Sequence, residues 1–387
     1  MYIPYGRQNI NQADIEAVVK VLESDFLTQG DIVPAFENAV AEICESPYAV
    51  AVNSATSALH LACMALELGP GDLVWTTPIS FVASANCARY CGADIDFVDI
   101  DPQTYNLSVD ALQKKLKQAA LNQRLPKIVI PVHFSGQACE MKQIHGLAEH
   151  YGFKIIEDAS HAIGGRYLNS PIGKGEYSDI TVFSFHPVKI ITTGEGGMAL
   201  TRQRDLYQRM KRLRTHGIVR EPDEMPSESD GPWYYQQIEL GYNYRLTDLQ
   251  AALGLSQLKR LDTFIKQRHA LARRYDQLLA KLPLLTPWQH PDSYSGLHLY
   301  VIRLKLSEIH RSRLEVFNFL RAAELGVNIH YIPIYRQAYY AQMGFRASDF
   351  PESEKYYAET LTLPLYPALT EADQDRVVQV LKEAILA

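Results

Sequence analysis

A chain of 387 residues has room for two or three domains at about 150 residues each, and for at least one large buried core. Its 38 basic and 44 acidic residues leave a net charge of −6, the wrong sign for a nucleic-acid partner, while 47% hydrophobic and 21% charged residues exclude wholesale disorder. No apolar run reaches the roughly 18 residues of a membrane span, and the opening MYIPYGRQNINQAD has no secretory pattern. Five scattered cysteines (Cys44, Cys63, Cys87, Cys91, Cys139) suit a reducing compartment, so the expectation is a cytoplasmic globular protein.

In chain order, the runs YAVAVN (48–53), DLVWTT (72–77), DIDFVDI (94–100), KIVIPVHF (127–134), FKIIED (153–158), ITVFSF (180–185) and GMALT (197–201) have strand length and are rich in Val, Ile, Phe and Thr. Helical patterns over 55–68, 80–91, 109–121 and 139–151 separate them. This alternation predicts an α/β fold with a large, mostly parallel sheet covered by helices, whose ligands sit at the carboxyl ends of the strands. The segment 220–235 (REPDEMPSESDGPWYY) reads as a loop or mobile flap, a solvated connection being the simpler form. Its Trp233-Tyr234-Tyr235 either closes over a ligand or is partly buried. Leu246, Leu249, Leu253, Leu258, Leu261 and Ile265 then recur at helical spacing and predict the start of a long helix. The tail predicts a strand near 298–304, a helix near 312–325, a strand near 327–331 and a closing helix from Glu371. Two domains are expected: 1–250, with an N-terminal arm, and a smaller C-terminal α/β unit over 251–387.

Two strands deliver chemistry to their carboxyl ends. FKIIED ends in Asp158, and TVFSF ends in Ser184 and runs on to Lys189. An acid and a lysine at one sheet edge suit a cofactor with a basic pyridine nitrogen and an aldehyde. The carboxylate keeps the nitrogen protonated, the ring becomes an electron sink, and the lysine amine condenses with the aldehyde and serves as a proton carrier. Alone, Asp158 would read as a cap and Lys189 as a solvated side chain. Asn53-Ser54-Ala55-Thr56-Ser57 joins the first strand to a helix, where unpaired N–H groups make a phosphate site, although simple capping by Ser54 or Thr56 reads equally well. Neither GxGxxG nor GxxxxGK[ST] follows the first strand, which disfavours a dinucleotide-dependent oxidoreductase or an ATP site. Cys87 and Cys91 lie i, i+4 without a second pair, so buried thiols rather than a metal are expected.

With NSATSALHLA, TTPISFVASAN, VHFSGQ, IIEDASHAIGG, FSFHPVKIITTGEGGM, RTHGI, GYNYRLTDLQAALGLSQL and HYIPIY in order, the sequence resembles the DegT/DnrJ/EryC1/StrS sugar-nucleotide aminotransferases, of the aspartate-aminotransferase-like fold (fold type I). The resemblance runs from Tyr5 to the last helix. LTQG (27–30), TTPISFVASAN, SFHPVKIITTGEGG and HYIPIYRQ are similar to the branch that serves pseudaminic acid synthesis. The resemblance implies pyridoxal 5'-phosphate as cofactor, Lys189 as the lysine joined to it, and Asp158 at the pyridine nitrogen. It also implies Phe81 on the ring face, His161 at the 3-hydroxyl, phosphate contacts from Ala55, Thr56 and Ser184, and Asn243 donated by the partner of a homodimer. It further implies a UDP-linked 4-keto-6-deoxy-N-acetylhexosamine as acceptor, an amino acid (glutamate) as donor, and Tyr5, Thr28, Gln29, His330 and Tyr331 at the sugar nucleotide. Tyr5 and the 330–335 run read equally as a packed arm and a plain strand. Some relatives that dehydrate carry His in place of the lysine, but here Lys189 is present; other keto-sugar aminotransferases and a non-catalytic regulator are the alternatives.

Overall fold

The computed structural model describes residues 1–386. Its largest sheet has seven strands: β1 (Tyr48–Val52), β2 (Leu73–Thr76), β3 (Asp94–Phe97), β4 (Ile128–Ile130), β5 (Lys154–Asp158), β6 (Ile180–Ser184) and β7 (Gly197–Thr201). They lie side by side in the order β1-β7-β6-β5-β4-β2-β3. Every pair from β6 to β3 is parallel, and β7 alone runs antiparallel to its neighbours. The run at 127–134 yields a short β4 because Pro131 has no N–H for the ladder, although one parallel bridge, Val132 to Asp158, continues the register.

The strands read as near-continuous apolar runs because both faces are covered. Val74, Ile128 and Ile130 join a core with α3 (Ala55–Ala65), α4 (Ala83–Tyr90) and α7 (Arg204–Leu213). The alternate residues Trp75, Val129 and Ile155 join the opposite core with α5 (Val109–Leu121) and α6 (Met141–Tyr151). Two earlier helices, α1 (Gln12–Leu22) and α2 (Ile32–Ile43), pack against α8 (Asp248–Leu258) at the β1 end.

The predicted long helix is two helices, α8 and α9 (Leu261–Leu279). Leu246 lies outside, ahead of a capping box made by Thr247 and Gln250. The corner at Lys259-Arg260 is pinned because Gln257 and Arg260 both donate to Asn9 O and to the Asp14 carboxylate of α1. Leu261, Phe264 and Ile265 of α9 pack under the large sheet, whereas Ala272, Tyr275 and Leu279 enter a second core. That core holds a small antiparallel sheet of β8 (Leu284–Leu285), β9 (Tyr300–Leu304) and β10 (Thr360–Leu363), with α10 (Arg313–Ala322) and the closing α12 (Glu371–Leu386). Between them, α11 (Pro351–Glu359) leads into β10.

A cut at 250 would therefore fall inside α8, and α9 belongs to both cores. The N-terminal arm also crosses over: Ile3 pairs with Leu325 and is buried in the second core. The strand expected at 327–331 does not form. Pairing stops at Gly326, and only Asn328 makes one further bridge, to Thr362. The backbone beyond is held by a side chain instead, since Tyr356 OH donates to His330 O (2.5 Å). The segment 220–235 is a loop closed by the pairing of Ile218–Val219 with Gln236–Gln237, in which Trp233 and Tyr235 are exposed and Tyr234 is partly buried. Among the described residues no helix is long and apolar enough to cross a membrane.

Arg268 of α9 is fully buried and has no carboxylate partner among the described residues. It donates to Leu297 O, His298 O and Leu365 O (3.0–3.2 Å), and burial lowers its pKa to about 10. Arg268→Met fills similar space but strands three carbonyls. We expect it to lower unfolding stability by about 3 kcal/mol, read as a fall in the urea midpoint.

Candidate active site

The carboxyl ends of β1, β5 and β6 open on one cavity of about 930 Å³. The segment after β1 turns into α3 at Ser54, whose side chain caps the helix by accepting from Ser57 N (3.1 Å). Ser57 Oγ in turn donates to Asn53 Oδ1 (2.7 Å). The N–H groups of Ala55 and Thr56, in the first turn, have no acceptor within the helix, and both residues line the cavity. Gly197, at the start of β7, is required here: a Cβ would stand 2.5 Å from Ala55 N and from Ser54 C. The cradle is a helix N-terminus backed by small residues, and it fits a phosphate.

Asp158 ends β5 and is almost fully buried. Its Oδ1 accepts from Ser160 N (3.2 Å) and Ser160 Oγ (2.6 Å), and its Oδ2 accepts from Ser84 Oγ (2.6 Å), reaching in from α4. Glu157 points to the opposite face. Because Cys139 N donates to His133 Nδ1, the other ring nitrogen carries the proton and donates to Glu157 (2.7 Å). Burial alone would raise the Glu157 pKa, but His133, Ser178 and Thr181 outweigh it and the pKa is lowered.

Lys189 stands in the loop after β6, half-buried in the cavity wall. Burial lowers its pKa to about 8, against the opposing attraction of Asp158. Among the described residues it is the cavity's one lysine or arginine. Two histidines, His161 and His330, line the inner wall, with His298 packed behind His161. His161 Nδ1 accepts from Ser135 N (3.3 Å), so its Nε2 carries the proton and donates to Tyr331 OH (3.2 Å). Burial first, and Lys189 and His330 next, hold His161 well below the ordinary histidine range. His330 is lowered to about 3 by burial and Lys189, and His298, packed 4.5 Å from the His161 ring, is lowered mainly by burial. Phe81 leaves its ring 59% exposed at the cavity, 6.4 Å from Tyr331. A large apolar face open to a pocket is available for stacking.

Ten expected site residues thus line one cavity: Tyr5, Ala55, Thr56, Phe81, Asp158, His161, Ser184, Lys189, His330 and Tyr331. Three do not. Thr28 and Gln29 are exposed on a corner tied to α8, where Asp248 accepts from Gly30 N and Val33 N, and Asn243 is exposed beside its bridge to Thr215. Sequence reasoning missed Ser84 and Ser160 on Asp158, and Asn328 and Gln250 on the wall. Ser160 carries the local signal of an Asx-type turn two residues after an Asp; Ser84 carries none. A second cavity beside β3 is lined by ions already paired with each other, such as Lys115 with Asp96 (2.7 Å) and Arg89 with Asp94 (3.2 Å).

The whole chain superimposes on solved aminotransferases. It covers 100% of Helicobacter pylori PseC, described as an aminotransferase involved in the biosynthesis of pseudoaminic acid, over 100% of its own length, with a TM-score of 0.90 and 29% identity. It matches the PLP-form of the putative sugar aminotransferase Spr1654 from Streptococcus pneumoniae at a TM-score of 0.88 and 27% identity, over 99% of this chain and 98% of that one. The fold is that of the pyridoxal-phosphate-dependent aminotransferases. Residues 8–382 match the DegT/DnrJ/EryC1/StrS aminotransferase family, and the chain belongs to it. Among relatives, it is 38% identical to the spore coat polysaccharide biosynthesis protein SpsC of Bacillus subtilis, over 99% of this chain and 97% of that protein. It is 36% identical to the UDP-4-amino-4,6-dideoxy-N-acetyl-beta-L-altrosamine transaminase of Campylobacter jejuni, over 96% of this chain and 94% of that one.

Two pH dependences follow from the cavity. In the ligand-free protein, the Lys189 amine should capture a small aldehyde at a rate that rises with pH and is half-maximal near pH 8, measured by borohydride trapping and mass spectrometry of the Lys189 peptide. His161, His298 and His330 are neutral when folded but free to protonate when unfolded. Their folded pKa values are depressed, so stability should fall as pH drops below the unfolded value of about 6.5. The slope should be up to about 1.4 kcal/mol per pH unit for each, read from urea midpoints between pH 6.5 and 5.

Proposed function

We propose that this chain binds pyridoxal 5'-phosphate and moves an amino group from L-glutamate to C4 of a UDP-linked 4-keto-6-deoxy-N-acetylhexosamine. The product is then UDP-4-amino-4,6-dideoxy-N-acetyl-β-L-altrosamine, a precursor of pseudaminic acid, and the enzyme works as a cytoplasmic homodimer. The observation that carries the reading is Lys189 and Asp158 in one cavity with the uncovered N-terminus of α3. The relatives from Campylobacter and Helicobacter support the choice of sugar.

When bound, the cofactor supplies an aldehyde that captures the amine and a protonated ring that takes up the electron pair of the breaking C–H bond. The rest falls to the chain. Ala55, Thr56 and Ser184 hold the phosphate, and Asn243 of the partner subunit completes that site. Phe81 covers one face of the ring, and His161 meets the 3-hydroxyl. Asp158 keeps the proton on the pyridine nitrogen. Lys189 Nζ, neutral in a large share of molecules near pH 8, takes the proton from the donor's α-carbon in the first half-reaction. In the second it delivers a proton to C4 of the sugar. Tyr5, Thr28, Gln29, His330 and Tyr331 border the sugar nucleotide.

A second reading, the same chemistry on another keto-sugar nucleotide (C3 or C4, UDP- or dTDP-linked), draws on the 38% identity to the spore coat protein. The purified protein should be yellow, bleach with glutamate and regain colour with the matching keto sugar. A panel of UDP- and dTDP-linked keto sugars, with the product's stereochemistry read by NMR, separates the two readings. Lys189→Ala should retain the cofactor and lose transfer by at least about a thousandfold, and Asp158→Asn should lose it by about a hundredfold or more. Near-wild-type turnover in Lys189→Ala would contradict the proposal.

A further inference from the structure

Asp158 is the buried acid of the site, yet no arginine or protonated histidine holds it. Its backbone is locked: Asp158 N donates to Pro131 O (2.9 Å), and Asp158 O accepts from His133 N (3.0 Å). The carboxylate is then aimed by three donors. Two belong to Ser160 and converge on Oδ1; they come from a turn two residues away and move with Asp158. The third is Ser84 Oγ, 2.6 Å from Oδ2 and 74 residues away in sequence. Ser84 is fully buried in the first turn of α4, three residues beyond Phe81.

A second hydroxyl stands behind it. Ser80 Oγ lies 2.7 Å from Ser84 Oγ and is also buried. An ionised carboxylate can only accept, so Ser84 spends its single hydrogen on Asp158. The hydrogen between the two serines therefore belongs to Ser80, and the chain runs one way: Ser80 to Ser84 to Asp158. With two donors on Oδ1 and one on Oδ2, one lone pair of Oδ2 is left for a further N–H. A donor to a carboxylate lowers its proton affinity. A chain of two hydroxyls polarises in the same direction.

We propose that Ser84, backed by Ser80, is a positioning residue: it orients the Asp158 carboxylate and keeps it too weakly basic to draw the proton off the cofactor's ring nitrogen. It also joins the segment carrying Phe81 to the strand carrying Asp158, so the group beneath the ring face and the group at the ring edge are set at one spacing. This rests on the reading that Asp158 meets the pyridine nitrogen of bound pyridoxal phosphate.

The test uses the protein reconstituted with ring-¹⁵N pyridoxal phosphate. Ser84→Ala keeps the volume and favours the helix, so it should fold. Its ¹⁵N shift should move toward the unprotonated value, and the glutamate half-reaction should slow about tenfold, the worth of one hydrogen bond to a charged group. Cofactor affinity should change less than about threefold, because phosphate and ring contacts are untouched. Ser84→Thr, which restores the hydroxyl, should restore the shift, and Ser80→Ala should move it in the same direction by less. A wild-type ¹⁵N shift in Ser84→Ala, while Asp158→Asn displaces it, would overturn the role of Ser84 alone. If Asp158→Asn also left the shift in place, the underlying reading of Asp158 would fall with it.

Discussion

The end of β5 sets the terms for the site. Parallel pairing puts Asp158 opposite Val182, two residues before Ser184, in a sheet whose faces are both covered. A carboxylate there is almost fully buried and is held by what neighbouring segments bring to it. They bring hydroxyls and one N–H, and a single amine across the cavity. Neutral donors hold the charge without cancelling it, so the carboxylate remains available to a cationic N–H. An arginine in the same place would have neutralised it.

The same economy of charge runs through the cavity. The chain carries a net charge of −6, and the cavity wall holds one lysine, Lys189, and no arginine among the described residues. The histidines around it are kept neutral by burial, and their closeness to Lys189 lowers them further. Burial also lowers Lys189, so the buried imidazoles are uncharged and the lysine titrates near pH 8 rather than above 10. Beside them the backbone N–H groups at the start of α3 face the same cavity, where the helix supplies partial positive charge without a titratable side chain.

The C-terminal unit is not a separate appendage. Helix α9 packs into both cores, Ile3 closes the second core from the far end of the chain, and Arg268 ties α9 to segments 297–298 and 365. This coupling places 328–331 on the cavity wall. Had that segment been the strand its composition suggests, its alternate side chains would have been committed to a sheet. As irregular backbone, held by Tyr356 and one bridge to Thr362, it turns Asn328, His330 and Tyr331 toward the cavity.

Much of this was legible from local pattern. Strand-length apolar runs alternating with helical periodicity determined a mostly parallel sheet, and the carboxyl ends of such strands are where Asp158, Ser184 and Lys189 come together on one cavity. These signals are carried by neighbours within a few residues, where backbone geometry enforces them. Other features depended on contacts between distant segments. The split of α8 from α9 follows from side chains anchored on α1, some 240 residues earlier in the chain. Ser84 looked like any small helical residue until α4 was packed against β5. Thr28, Gln29 and Asn243 read as site residues by resemblance but stand outside this chain's own cavity. Pairings of this kind leave no periodicity in the sequence, because the partner that gives each residue its role is brought to it only by the tertiary fold.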